Sequence, residues 1–158
     1  MRSAFAALAA ALLASGADAE IYLPELRAED RAVVEACMAE RVPTDWVECR
    51  GAVAQPCDAE AARTQIHASL DCVAREAVVW KTLMEERYET SLAEWRTRDA
   101  EGLARFEASQ AAWLTYRDAE CAFIAARTGN IRTDALLGLG CVLQENHERV
   151  IALRLAVY

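Results

Sequence analysis

No segment of this chain alternates polar and apolar residues over the length of a strand, and glycine and proline are scarce, six and three among 158 residues. Both absences count against a sheet, which needs period-two patterning and frequent turn residues. No apolar run is long enough to cross a bilayer: the longest, Ala4 to Ala14, has 11 residues, where a spanning helix needs roughly 18. No C-x-x-C pair occurs, and the only histidines, His67 and His147, stand outside any zinc-ligand spacing, so no metal and no cofactor is expected. No G-x-S-x-G elbow places a serine at a helix start, which removes the commonest signature of a serine hydrolase. Lysine is nearly missing too, Lys81 standing alone against 16 arginines, a bias that folding does not require and that marks a genome preference rather than a site.

What is present begins at the N-terminus. Arg2, the apolar run, then Ser15-Gly16 and Ala17-Asp18-Ala19 ahead of Glu20 have the form of a secretory signal peptide over residues 1–19, with cleavage following Ala19. No cysteine lies near that site to carry a lipid, so no membrane anchor is expected, and the product belongs in the periplasm or is secreted. The remaining residues 20–158 suit a single domain with one core. They carry 16 basic and 24 acidic residues, a net charge of -8. Such a surface repels nucleic acid and attracts cationic partners.

Six cysteines, Cys37, Cys49, Cys57, Cys72, Cys121 and Cys141, all follow the cleavage site. An even count in an exported chain points to disulfides. Sequence alone does not choose among the possible connectivities, and nearest-neighbour pairing is the expectation: Cys37 to Cys49, Cys57 to Cys72 and Cys121 to Cys141, each joining the end of a helix to the adjacent connection or the next helix.

Helical spacing dominates the rest. Leu26, Val33, Val34, Cys37 and Met38 mark a first helix between Leu26 and Arg41, with Pro24 in front and Pro43 behind. From Val42 to Asp58 the periodicity is lost among Pro43, Gly51 and Pro56, which predicts a cysteine-stapled loop that exposes or half-buries Trp46. From about Ala59 to Arg98, Ile66, Leu70, Val73, Ala77, Trp80, Met84, Tyr88, Leu92 and Trp95 follow steps of three and four, as one long amphipathic helix would. A third stripe runs Leu103, Phe106, Gln110, Trp113, Leu114, Arg117, Cys121 and Ile124, with Gly129-Asn130 as its stop. Thr133 or Asp134 can cap a fourth helix carrying Leu136, Leu139, Leu143, Val150, Leu153 and Val157. The fold class is therefore all-α: a disulfide-stapled antiparallel helical bundle of about four helices.

No arrangement for catalysis stands out. Cysteine nucleophiles are used up in disulfides, and among 24 acidic residues no pair is distinguished by its surroundings, so no catalytic residue is assigned and the protein is expected not to be an enzyme. The unusual stretch is Gln110 to Cys121. Gln110, Trp113, Arg117 and Cys121 share one helix face, which sets a guanidinium, followed by Asp118, into an apolar stripe. Burying it alone would cost several kcal/mol, so a carboxylate or several carbonyls must meet it. Two readings stay open: an internal polar network of Gln110, Trp113, Arg117 and Asp118 that sets helix register, or a binding surface.

The pattern Q-x-x-W-x-x-x-R-D-x-x-C, then a glycine turn and a further cysteine, resembles the LprI-like lysozyme inhibitor family of exported helical domains. Here it is Gln110, Trp113, Arg117, Asp118, Cys121, Gly129 and Cys141, preceded by Cys72, Trp80 and Met84-Glu85-Glu86-Arg87-Tyr88. The resemblance covers roughly residues 57–153. The chain departs from it where Asn146-His147-Glu148-Arg149 replaces a T-x-x-R after the last cysteine. The resemblance implies a non-catalytic protein that binds and inhibits lysozyme, and typical animal lysozymes are basic, the partner that a net charge of -8 attracts. The alternative is a periplasmic envelope module that binds another protein through its helix faces without inhibiting lysozyme. Oligomeric state is left open. Two elements are candidates to block a cleft: the stapled loop around Trp46, where the indole either anchors a partner or covers the end of the core, and the turn with Gly129, Asn130 and Arg132.

Overall fold

The computed structural model describes residues 23–62 and 68–155. The expected signal peptide and its cleavage site, together with Ile66, His67 and Val157, lie outside the described residues. The described residues form five α-helices: α1 Ala28–Ala39, α2 Ala54–Ala61, α3 Ala68–Arg96, α4 Ala100–Ile124 and α5 Ile131–Leu155, with a 3-10 turn at Pro43–Cys49 between the first two. Among the described residues there is no strand, and no helix is long and apolar enough to cross a membrane.

The long helices make an up-down-up arrangement. Met84 of α3 meets Gln110 of α4, while Tyr88 and Trp95 stack on Phe106 with ring centroids 5.4 and 6.3 Å apart, so α3 and α4 run antiparallel. Arg117 of α4 meets Asn146 of α5 and Gln110 meets Arg149, so these two run antiparallel as well. Consequently α3 and α5 run in the same direction, and among the described elements they share the most extensive contact. The core lies between them: Ala77, Val79, Trp80, Met84 and Leu92 from α3 against Leu143, Val150 and Leu153 from α5, closed by Phe106, Val34 and Trp46. These are largely the residues that the helical periodicity selects, because a stripe at that spacing is the only face able to leave water together.

At the α3–α4 corner Asp99 accepts the N–H of Gly102 and caps α4. A Cβ on Gly102 would stand 2.6 Å from the Trp95 ring, so a side chain there would push the two helices apart. α1 is tied to α3 by a bidentate pair, Arg31 to Glu86, and by Arg75 to the buried Asp30.

Three disulfides join Cys37 to Cys49, Cys57 to Cys72 and Cys121 to Cys141. The second settles a conflict in the sequence pattern. One helix from Ala59 to Arg98 would leave its first turn about 20 Å from Cys72 at 1.5 Å per residue, whereas the Cα atoms of Cys57 and Cys72 are 5.6 Å apart. The long helix is therefore two: α2 ends at Ala61 and folds against α3, which begins at Ala68. The stretch from Val42 to Asp58 is likewise no plain loop. It holds the 3-10 turn and the start of α2, whose first turn contains Pro56, where a missing N–H costs nothing.

Candidate functional site

Three groups of residues could carry function. The first is the polar set on the facing sides of α4 and α5. Arg117 donates from its Nη1 to Asn146 Oδ1 at 3.1 Å and from Nε and Nη2 to Asp118 Oδ1 at 2.9 and 2.6 Å. Gln110 accepts from Arg149 Nε at 2.9 Å and donates toward Met84 Sδ at 3.3 Å. The guanidinium carbons of Arg117 and Arg149 lie 5.2 and 5.4 Å from the Trp113 ring centroid, within cation–π range. Burial pulls the Arg149 guanidinium below its ordinary value. Gln110, Trp113, Arg117 and Asp118 are thus brought together, and the carboxylate that meets Arg117 is the next residue along the chain. Asp118 is 66% exposed in its side chain and Arg117 only 14%, so the pair straddles the surface. The two further members, Asn146 and Arg149, lie in the segment after the last cysteine. Their signal in the sequence is position: Asn146 and Arg149 are three apart, just inside the stripe that runs from Leu143 to Val150.

The second group surrounds Trp46. The expectation of an exposed or half-buried indole is corrected: Trp46 is 7% exposed and belongs to the core. Its Nε1–H donates to Met38 O at 3.0 Å, and its own carbonyl lies 2.9 Å from His147 Nε2. His147 and Glu76 are fully buried. The Glu76 carboxylate accepts the backbone N–H groups of Gly51, Val53 and Ala54 at 2.6, 3.0 and 2.7 Å, and the Trp80 indole N–H at 3.0 Å. A side chain of α3 therefore supplies the acceptor for the first turn of α2, whose own N-cap residue, Val53, offers none. Burial pushes His147 below the usual histidine value, against the pull of the Trp46 carbonyl. The Trp80 ring meets the His147 ring edge-on at 4.6 Å. Glu76, Asn146 and His147 have one sequence signal in common, a polar residue within the run of an apolar stripe.

The third group is the turn between α4 and α5. Gly129 has φ +73°, a left-handed conformation that side chains other than glycine rarely adopt. The cap of α5 is Asn130, not Thr133 or Asp134: its Oδ1 accepts the N–H groups of Arg132 and Thr133 at 3.2 and 3.0 Å. Asp134 reaches back instead, taking the Thr128 hydroxyl at 2.7 Å and the Thr128 N–H at 2.9 Å. The Thr128 hydroxyl first, and then the N–H groups of Thr128 and Gly129 and the nearby Arg127, hold its carboxyl below the usual carboxylate range although burial acts the other way. On this clamped turn Ile131 is 91% exposed. Arg132 is exposed as well and makes no ion pair among the described residues.

A further electrostatic feature lies along the same two helices, away from the turn: Glu120, Glu145 and Glu148 act on Tyr116. Burial, then Glu148 and Glu120, raise the Glu145 carboxyl, and Glu145, burial and the other two glutamates raise the Tyr116 phenol. A hydrogen bond from Trp113 and the charge of Arg117 act the other way on Glu145, so the mutual repulsion of these glutamates is partly offset within the protein. Among the described residues no group of three or more His, Cys, Asp or Glu side chains could hold a metal ion.

A family model described as lysozyme inhibitor LprI matches residues 57–153, more than half of the chain. The match takes in α3, α4, the clamped turn and nearly all of α5. No curated protein and no solved structure matches the chain.

Proposed function

The chain belongs to the lysozyme inhibitor LprI family, and from that premise we propose that its mature domain, residues 20–158, is exported after cleavage following Ala19 and binds and inhibits a basic lysozyme without catalysing a reaction. A net charge of -8 gives the encounter its direction, and the glutamates around Tyr116 give the attraction a place. Attraction by itself leaves the enzyme working, so some element has to occupy the substrate cleft. Of the two segments with the right sequence features, the one around Trp46 is committed to the core, and the α4–α5 turn is free. The observation that carries the proposal is Ile131, 91% exposed on a turn already held rigid by its own hydrogen bonds. An ordered loop loses little entropy on docking.

The test is residual lysozyme activity on cell walls with purified mature protein at several concentrations and salt levels. Stoichiometric protein is expected to suppress lysis at low salt and to lose affinity toward physiological salt, where charges are screened over about 8 to 10 Å. Unaffected lysis at low salt would overturn the proposal. Binding without inhibition would favour the envelope module instead, for which the exposed Tyr116 and Phe123, seven residues apart on one face of α4, offer a surface.

A further inference from the structure

The turn that the proposal above sends into the lysozyme cleft differs in charge from the domain that carries it. From Ala125 to Thr133 the chain has two arginines, Arg127 and Arg132, and no carboxylate. The next residue, Asp134, is buried and spends its carboxylate on the Thr128 hydroxyl and N–H. An acidic domain thus ends in a small basic tip. Arg127 lies near enough to Asp134 to help depress its carboxyl, which leaves Arg132 as the cation of the tip with no carboxylate partner among the described residues. Its backbone is fixed, since its N–H is donated to Asn130 Oδ1, and beside it stands the exposed Ile131.

Lysozyme works with two carboxyl groups about 5 to 5.5 Å apart, as in retaining glycosidases, and its catalytic acid sits against an apolar wall. One planar guanidinium has donors on two edges and can bridge carboxyl groups at that separation. A flanking isoleucine suits the apolar wall. We infer that Arg132 is the specificity-determining residue of the inhibitor: its guanidinium takes the catalytic carboxyl pair of lysozyme while Ile131 packs beside it. This inference depends on the inhibitor reading and names the chemistry of the same turn. It also accounts for opposite charges in one molecule, the acidic helix faces meeting the basic outer surface of the enzyme and the basic tip meeting its acidic cleft.

A double-mutant cycle tests it, with wild-type protein and Arg132→Ala each titrated against a basic animal lysozyme and against the same lysozyme with its catalytic acid replaced by the amide. Because Arg132 is exposed, the variant should melt with the wild type, and that control separates lost contact from lost fold. The expected result is that wild-type protein binds the amide enzyme at least about tenfold more weakly than the intact enzyme, the size found for close interfacial charge pairs, whereas Arg132→Ala binds both alike. Arg132→Glu should abolish inhibition of the intact enzyme. If wild-type protein inhibits but Arg132→Ala inhibits equally well, or loses the same factor against both enzymes, this inference falls and the inhibitor reading stands. If wild-type protein neither binds nor inhibits, both fall together.

Discussion

The segment between α1 and α3 and the turn between α4 and α5 are both connections stiffened by polar side chains, yet the first turns its large side chain inward and the second turns its own outward. The difference lies in where the stiffening comes from. In the first, the backbone N–H groups of Gly51, Val53 and Ala54 go to Glu76 on α3, and the Trp46 carbonyl goes to His147 on α5. In the second, Thr128, Asn130, Arg132, Thr133 and Asp134 satisfy one another. A connection whose hydrogen bonds end on other helices becomes part of the core. One that closes its own hydrogen bonds needs no neighbour, and its apolar residue is left for a partner.

The largest effect should come from cutting the first connection off from α3. Glu76→Ala leaves the buried N–H groups of Val53 and Ala54, the part-buried N–H of Gly51 and the Trp80 indole without their acceptor, and should cost about 3 to 5 kcal/mol in urea melts. A loss under about 1 kcal/mol would mean that the Cys37–Cys49 and Cys57–Cys72 bonds hold the segment in the core without Glu76.

Acid should act on the same connection more gently. His147 is held neutral by burial, with the Trp46 carbonyl, Arg50, Glu148 and Glu76 as its polar surroundings and the Trp80 ring against it. Its folded value lies below the ordinary 6.5, so the unfolded chain takes up a proton first. The stability is therefore full above about 6.5 and is lost as pH falls from there toward the lower folded value. Melting of wild type against His147→Gln, whose amide can still donate to the Trp46 carbonyl, isolates this contribution. Equal slopes for the two proteins between pH 7 and 5 would remove it.

The smallest effect on the fold should come from Ile131→Ala. A side chain that is 91% exposed contributes within about 0.5 kcal/mol, so the melting curve should not move while inhibition of lysozyme weakens. A clear drop in stability would show that the turn leans on the bundle, and the contrast between the two connections would be lost.

The sequence by itself determined the helical class, because periodicity is a property of neighbours along the chain: the stripes through Trp80, Met84 and Leu92 and through Leu139, Leu143, Val150 and Leu153 are the buried ones. It also determined the Gln110–Trp113–Arg117 set, since residues on one helix face meet whatever faces them, but not the cysteine pairing, which the fold decided. Tertiary structure alone decided the rest. It broke the helix expected from Ala59 to Arg98, turned Trp46 inward and left Ile131 and Arg132 outside. The physical reason is the origin of the partners. Trp46 is placed by a histidine 101 residues away and the start of α2 by a carboxylate more than 20 residues away, distances over which no local pattern carries information, whereas the turn at Gly129 is free only because no such partner reaches it.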